Sequence, residues 1–553
     1  MNEKVVELRN FISSNGGDAI LINSSDEFLS EYNILPRNSR FKVTGFSGSM
    51  GDCIVTKNAV YQIADGRYHQ QADNEVDSDV VTVINKMQQG SSPINEIVGA
   101  LDENSTLMVT SNKVSADFCE KLSKKCEEKN IKIKYLSSDP IEDLSQNAFT
   151  NVELTRVSDK IASLSPEEKF KYFAEKLTDK QILLVTVPTD FAYLTNLRNY
   201  DFPYSSAPRA KAVVTKKSVT LFTDSKIPYE FEGLSVEPLE KFKNVLAQFV
   251  GKEILTDKAT ISQADFMQIH PSNKVRSTNL FDVKSEKFDS EIEYLKSAFA
   301  RTDRVLRKMN DLINSDAELS EYDLFCSINQ FFKEEGALTQ SFKPIIASGA
   351  NSSIIHYSVA SPDKIIKDGD LVMIDCGGFF EGGLATDITR TFVKGTPTDE
   401  QKYVYTKVFK GAVAALAHKF DDKATWQQVD LLVRKELEDE EKNGYLYSHS
   451  TGHGIGISVH EFPPRCSFQD EFALPFKKNY VFSVEPGLYK KGVGGVRLEN
   501  AVYAKSVAPN LEIEVLSHYP FEEKLINREM LTKKELEFLE EWQNYGKTNN
   551  LCD

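Results

Sequence analysis

Histidine is scarce in this 553-residue chain, with eight in all, and four of the eight stand at positions 356, 449, 453 and 460 among glycines and acids. Cysteine is also sparse: seven residues, odd in number, scattered and without a Cys-x-x-Cys pair. That pattern excludes a disulfide framework or a zinc ribbon and fits a reduced, cytoplasmic protein. No run approaches the ~18 apolar residues of a membrane span. The first residues, Met1-Asn-Glu-Lys-Val-Val-Glu, lack the apolar segment of a secretory signal. Positive charge is in deficit, 66 Lys and Arg against 82 Asp and Glu, for a net charge of −16. Nucleic acid and anionic membrane are therefore not expected as partners.

The chain is too long for one hydrophobic core, so several domains are expected. An internal repeat divides its first half. Residues 54–65 read IVTKNAVYQIAD and residues 213–224 read VVTKKSVTLFTD. Upstream, Ala19-Ile-Leu-Ile-Asn-Ser-Ser-Asp26-Glu-Phe matches Ile182-Leu-Leu-Val-Thr-Val-Pro-Thr-Asp190-Phe, and both matches have an offset near 160. Each copy reads as a strand, a helix start at Asp-Phe, then two strands joined by a lysine-containing turn. Duplicated α/β domains over 1–150 and 151–283 are expected.

From 284 the pattern changes. Apolar residues at helical spacing predict a long amphipathic helix from about Ser285 and a second over roughly 320–335. Strand-like segments dominate 343–394 and 449–505, separated by helices over about 399–419 and 425–442. This order predicts an α+β domain over 284–553, a curved antiparallel sheet backed by helices. Its tail is helical: Thr532-Lys-Lys-Glu535 is a capping box flanked by Leu531 and Leu536 at staple positions.

The chemistry concentrates in this last region. Val372-Met-Ile-Asp375 and Asp387-Ile-Thr-Arg-Thr-Phe392 are strand-like and joined through glycines, which predicts a hairpin with one acid on each strand. Buried acids are costly unless they are paired or bind metal. His453 lies in Gly452-His453-Gly454-Ile-Gly456, Glu485 follows Val481-Phe-Ser-Val, and Glu499 follows Gly495-Val-Arg497-Leu. The set Asp375, Asp387, His453, Glu485 and Glu499 is oxygen-rich with one imidazole, which suits Mn²⁺, Co²⁺ or Zn²⁺. Four carboxylates exceed the needs of one ion and suit two ions ~3.5–4 Å apart.

The order and wording of these segments resemble the pita-bread metallopeptidases and, within them, the long three-domain aminopeptidase P family. Thr44-Gly-Phe-Ser-Gly-Ser and Asp65-Gly-Arg-Tyr resemble that family's first creatinase-like domain, and Leu194-Thr-Asn-Leu-Arg-Asn-Tyr-Asp-Phe-Pro its second. The resemblance implies two creatinase-like α/β domains and a pita-bread catalytic domain with a C-terminal helical extension. It implies a hydrolase that removes the N-terminal residue from peptides with proline second, using a hydroxide bridging two divalent ions. Mn²⁺ is the first expectation for those ions, with Zn²⁺ and Co²⁺ as alternatives.

By position, Asp375 would bind one ion, Asp387 and Glu499 would bridge both, and His453 and Glu485 would complete the second. Glu485 would also shuttle a proton. His356 and His460 would contact substrate and stabilise the tetrahedral intermediate; apart from the resemblance, His356 and the aromatic Tyr357 are expected neighbours of the proline ring. His449 would line the substrate site, and Arg497 would support the ligands from outside. A cytoplasmic homodimer acting on Xaa-Pro peptides is implied. The acids of the hairpin are twelve positions apart, one more than the family commonly shows, and glycines at 377, 378, 382 and 383 place the extra residue at the tip. The alternatives are a prolidase acting on Xaa-Pro dipeptides, a creatinase-like hydrolase, and a non-catalytic pita-bread binding module.

Overall fold

The computed structural model describes residues 2–84, 92–142 and 151–551. They fall into two compact units, one holding most of the first half of the chain and the other holding 157–163, 203–206 and 282 onward.

The first unit carries the duplication. One six-stranded sheet runs in the order Thr82–Ile84, Val60–Ile63, Asp52–Thr56, Ala19–Asn23, Thr106–Thr110, Lys132–Leu136. A second runs Leu234–Glu237, Val219–Phe222, Lys211–Val214, Gln181–Val185, Glu253–Leu255, Lys274–Arg276. Strand sense also repeats. In each sheet the central strand pairs antiparallel to the next in sequence, that one antiparallel to its hairpin partner, and the remaining pairs are parallel. The matched words at 54–65 and 213–224 are the equivalent hairpins of the two sheets. The central strands are buried along their length except at Gln181, as β-branched and leucine-rich runs covered on both faces must be. The expected division at 150 falls on residues outside those described.

In the second unit every strand pair is antiparallel. Three strands, Ile345–Ser348, Leu371–Cys376 and Ile388–Val393, form one sheet with the second in the middle. Five more, Glu461–Cys466, Gly452–Gly454, Val481–Val484, Asn500–Ser506 and Glu512–Val515, form another in that order. Gly487–Lys490 pairs with Gly494–Arg497 as a separate ribbon.

Helices Asp399–Leu416 and Trp426–Leu437 cover the sheets. The first buries Val404, Tyr405, Val408, Phe409 and Val413, a stripe at helical spacing that joins Phe482, Val496 and Val502 in one core. Both helices start with capping boxes, Thr398 with Gln401 and Thr425 with Gln428. Each such cap stabilises its helix by about 1 kcal/mol. The tail helix Lys533–Thr548 starts at the predicted box of Thr532 and Glu535 and packs Leu539 and Trp542 on the same core.

Candidate metal centre

The acid-bearing hairpin is regular. Pairing runs without a slip from Leu371 opposite Val393 to Asp375 opposite Thr389 and Cys376 opposite Ile388. The same register continues to a bridge between Phe379 and Ala385, so only residues 380–384 turn the chain. The extra residue therefore sits at the tip and leaves the ladder intact. The tip is pinned by Ser206, whose hydroxyl donates to the carbonyls of Gly383 (2.8 Å) and Ile457 (3.2 Å).

Residues opposite each other in an antiparallel pair share a face, as do residues two apart on one strand. Asp375, Thr389 and Asp387 consequently point to one side. Asp387 stands opposite Gly377, where an added Cβ would lie 1.8 Å from the Thr386 carbonyl oxygen. Only glycine lets the second strand approach there.

The alternation explains the word Asp387-Ile-Thr-Arg-Thr. Asp387 faces the site. The Thr389 hydroxyl donates to Glu499 Oε2 at 2.9 Å, and Thr391 Oγ1 bonds the Arg497 backbone on both sides. Arg390 points the other way, buried, and donates to the carbonyls of Glu499, Tyr519 and Pro520.

The remaining acids arrive from the other sheets. Glu485 extends the strand Val481–Val484, and its N–H donates to Thr451 O at 2.7 Å. Glu499 lies between Gly494–Arg497 and Asn500–Ser506, and its N–H donates to Thr389 O at 3.0 Å. His453 sits on the short strand Gly452–Gly454, its N–H on Ser483 Oγ. The His453 Nδ1 lies 3.1 Å from Gly454 O, which can only accept, so Nδ1 donates there and Nε2 is the ring nitrogen turned toward the acids. That Nε2 lies 3.5 Å from Asp387 Oδ2 and 3.7 Å from Glu485 Oε1. One ligand atom each from Asp387, His453 and Glu499 fall within 4.8 Å of one another.

The electrostatics are those of a site built for positive charge. Burial and the charges of Glu499, Asp375 and Glu485 hold the Asp387 carboxyl well above the usual range. Burial and then Asp375 push Glu499 up to about 8. The Oδ1 atoms of Asp375 and Asp387 and the Oε1 of Glu499 are buried without any hydrogen-bond partner. Buried polar atoms are rarely left so, and carboxylate oxygens lined up with an imidazole lone pair fit divalent cations.

Arg497 is the one cation among them, buried, with Nη2 2.5 Å from Asp375 Oδ2. Burial opposes its charge, but Tyr489 and Asp375 more than offset this and hold its pKa above the ordinary arginine value. Its other nitrogens reach Thr389 Oγ1 (3.1 Å), Tyr489 OH (3.0 Å) and Ile355 O (3.1 Å). Tyr489 then lies 2.9 Å from His449 Nε2, which makes a continuous chain from Asp375 through Arg497 and Tyr489 to His449. The His460 ring meets the His453 ring edge-on at 4.4 Å. His356 follows Ile355, the residue Arg497 grips by its carbonyl. Asp387, His453 and Glu499 converge directly, Glu485 and His460 lie against His453, and Arg497 holds Asp375, with His449 linked to it through Tyr489.

Tyr357, expected near the proline ring, sends its hydroxyl to Glu321 at 2.8 Å and packs against the cluster of Ile345, Ile355 and Met373. Thr389 and Tyr489 went unread. A lone threonine or tyrosine carries no signal until strand pairing sets Gly487 opposite Arg497.

Residues 293–506 match the model of Metallopeptidase family M24, and residues 145–297 that of the Creatinase/Prolidase N-terminal domain. Over residues 293–506 the chain is similar to family M24 metallopeptidases. Across nearly the whole chain the similarity is to Xaa-Pro aminopeptidases. Xaa-Pro aminopeptidase 1 of Dictyostelium discoideum is 26% identical, covering 98% of this chain and 92% of that protein. A probable Xaa-Pro aminopeptidase P of Laccaria bicolor is 28% identical, covering 98% and 89%. X-prolyl aminopeptidase from Caenorhabditis elegans, described as a cytosolic enzyme with a di-nuclear active site, superposes with a TM-score of 0.88 at 22% identity, covering 99% of this chain and 95% of that one. With the two family matches, that likeness gives the fold: a creatinase-type N-terminal domain and an M24 pita-bread domain. A prolidase from Thermococcus sibiricus covers 64% of this chain, with a TM-score of 0.53 at 25% identity.

Proposed function

We propose that this M24 domain is a metal-dependent aminopeptidase that removes the N-terminal residue from peptides with proline in second position. The observation that carries the proposal is the set of three buried carboxylate oxygens without a hydrogen-bond partner, on Asp375, Asp387 and Glu499, two of those acids converging with His453 within 4.8 Å. Asp375, Asp387 and Glu499 would hold the first of two divalent ions, and Asp387, Glu499, His453 and Glu485 the second. Four carboxylates and one imidazole favour Mn²⁺, with Zn²⁺ and Co²⁺ as alternatives. When bound, such ions polarise the scissile carbonyl and make the attacking water acidic.

The chain's own groups do the rest. Glu485, tied through its backbone to Thr451, takes the proton of the attacking water and delivers it to the prolyl nitrogen as the C–N bond breaks. His356 and His460 face the carbonyl oxygen as it gains charge. His449, anchored by Tyr489, lines the substrate site, and Arg497 holds Asp375 in place. The prolyl nitrogen has no N–H, so the site needs no acceptor for one.

The chain aligns with aminopeptidases over nearly its full length and with the Thermococcus prolidase over about two thirds of it, which favours the aminopeptidase over the dipeptidase. A cytoplasmic homodimer belongs to the same proposal. The C. elegans enzyme is described as cytosolic, and among the described residues no helix is long and apolar enough to cross a membrane. Light scattering at micromolar concentration tests the dimer.

Arg-Pro-Pro and Arg-Pro, offered with Mn²⁺, test the activity. Release of arginine from the tripeptide supports the proposal. Turnover of the dipeptide alone makes the protein a prolidase, and turnover of neither makes it a binding module. Asp387→Ala is expected to abolish cleavage at matched metal.

A further inference from the structure

Glu321 is fully buried at the first turn of the helix Glu321–Glu334 and belongs neither to the ligand set nor to its supports. Its carboxylate is nevertheless saturated with donors. Oε1 accepts from the Ser348 N–H at 2.6 Å, the Ser348 hydroxyl at 3.0 Å and Asn351 Nδ2 at 3.1 Å. Oε2 accepts from the Tyr357 hydroxyl at 2.8 Å and the Ser361 N–H at 3.2 Å. A carboxylate offers about four lone-pair sites, so this one is fully used.

All five donors come from one segment, 348–361, which holds His356 near its middle. Glu321 binds both ends of that segment and, through Asn351 and Tyr357, its interior. The segment's other face is held from the metal centre: Arg497 grips Ile355 O, and Gly495 N donates to Ser352 Oγ at 2.8 Å. The segment has little regular structure of its own. A short 3₁₀ turn, Gly349–Ser353, is followed by irregular chain. Its shape therefore depends on these two anchors.

We infer that Glu321 is the positioning residue for His356, a buried anionic clamp that sets where that imidazole stands relative to the reacting carbonyl. Only an acceptor with two equivalent oxygens fits. Glutamine at 321 keeps the volume but turns one oxygen into an NH₂, which would face the donors of Tyr357 and Ser361. The segment must then shift, and a displacement of about 1 Å at a catalytic group costs on the order of 100-fold. The inference rests on the assignment of His356 to the substrate carbonyl proposed above.

The test is a double-mutant cycle on Arg-Pro-Pro cleavage with Glu321→Gln and His356→Ala, read as kcat and KM separately. Glu321→Gln is expected to lower kcat on the order of 10–100-fold with KM changed little. In the His356→Ala background the same substitution is expected to change kcat less than about 2-fold, because its effect runs through that histidine. Tyr357→Phe, which removes one donor and keeps the acceptor, should give a smaller loss with the same dependence on His356 and serves if Glu321→Gln does not fold. Losses that multiply across the two backgrounds would overturn the inference, since a residue supporting only the fold adds its cost regardless of His356.

A second readout needs no turnover: the His356 ring Cε1–H resonance, assigned by its disappearance in His356→Ala. It is expected to move in Glu321→Gln while the other histidine resonances hold still. An unmoved signal overturns the inference. If the unmodified protein cleaves neither peptide, the proposed function fails, and this resonance alone decides the role of Glu321.

Discussion

Arg497→Met removes the single cation from the acid cluster while nearly preserving volume. Arg497 is buried, its partner Asp375 is nearly so, and the guanidinium also satisfies Thr389 Oγ1, Tyr489 OH and Ile355 O. Removing one partner of a buried ion pair leaves an uncompensated charge and costs about 3–5 kcal/mol. An exposed pair would cost only about 0–1 kcal/mol. For a folding unit of this size 1 kcal/mol moves a melting midpoint by about 2–4 °C, so a drop of about 6–20 °C is expected in chelated protein.

The assay is calorimetry of the chelated protein, with and without a second substitution, Asp375→Asn. If the cost is an orphaned carboxylate, neutralising that carboxylate returns much of the loss in the double variant. Saturating Mn²⁺ should also shrink the deficit, because cations would then balance the same acids. A drop of about 1 kcal/mol or less, as for an exposed pair, or a double variant no more stable than Arg497→Met, would refute the reasoning.

Thr389→Val removes the hydroxyl that donates to Glu499 and accepts from Arg497. A loss of about 10–100-fold in apparent Mn²⁺ affinity is expected in an activity titration, as for other groups that orient ligands. Asp303 carries a pH prediction. Burial pushes its carboxyl up to about 7 from 3.8, against the His518 N–H and the Arg390 charge. The folded state therefore binds the proton more tightly than the unfolded state. Its contribution is fully present below about pH 4 and lost as pH rises through 7. Asp303→Asn mimics the protonated acid and should gain about 3 kcal/mol on the unmodified protein between pH 5 and pH 8.5 in chemical unfolding. A stability difference that stays constant with pH would contradict this.

What was legible in the sequence follows from periodicity and turn chemistry. The helices after 398 and 424 and the tail helix declared themselves through capping boxes and apolar stripes. The duplication declared itself through two matched hairpins, and the structure repeats strand order and sense around both. The acid hairpin was legible because glycines flank its turn, and the intact register explains why an extra residue at the tip is harmless.

Other features were not legible because they depend on partners far away in the chain. Tyr489 gains meaning only from Arg497 across a ribbon, and Glu321 only from a segment that starts 27 residues later. The bond from the Tyr357 hydroxyl to Glu321 was not legible either, because it joins residues 36 positions apart. Nor did the sequence disclose that three carboxylate oxygens lack partners, since the folded strands must first bring them together.

In the proposed function the converged acids and His453 bind two divalent ions that the peptidase activity requires. The most direct measurement removes all metal, then follows bound Mn²⁺ per chain and Arg-Pro-Pro cleavage together as Mn²⁺ is returned. The expected result is no cleavage in the stripped protein, recovery that tracks two ions per chain, and neither binding nor recovery at those two sites in Asp387→Ala. Full cleavage by the stripped protein, or by Asp387→Ala at matched metal, would contradict it.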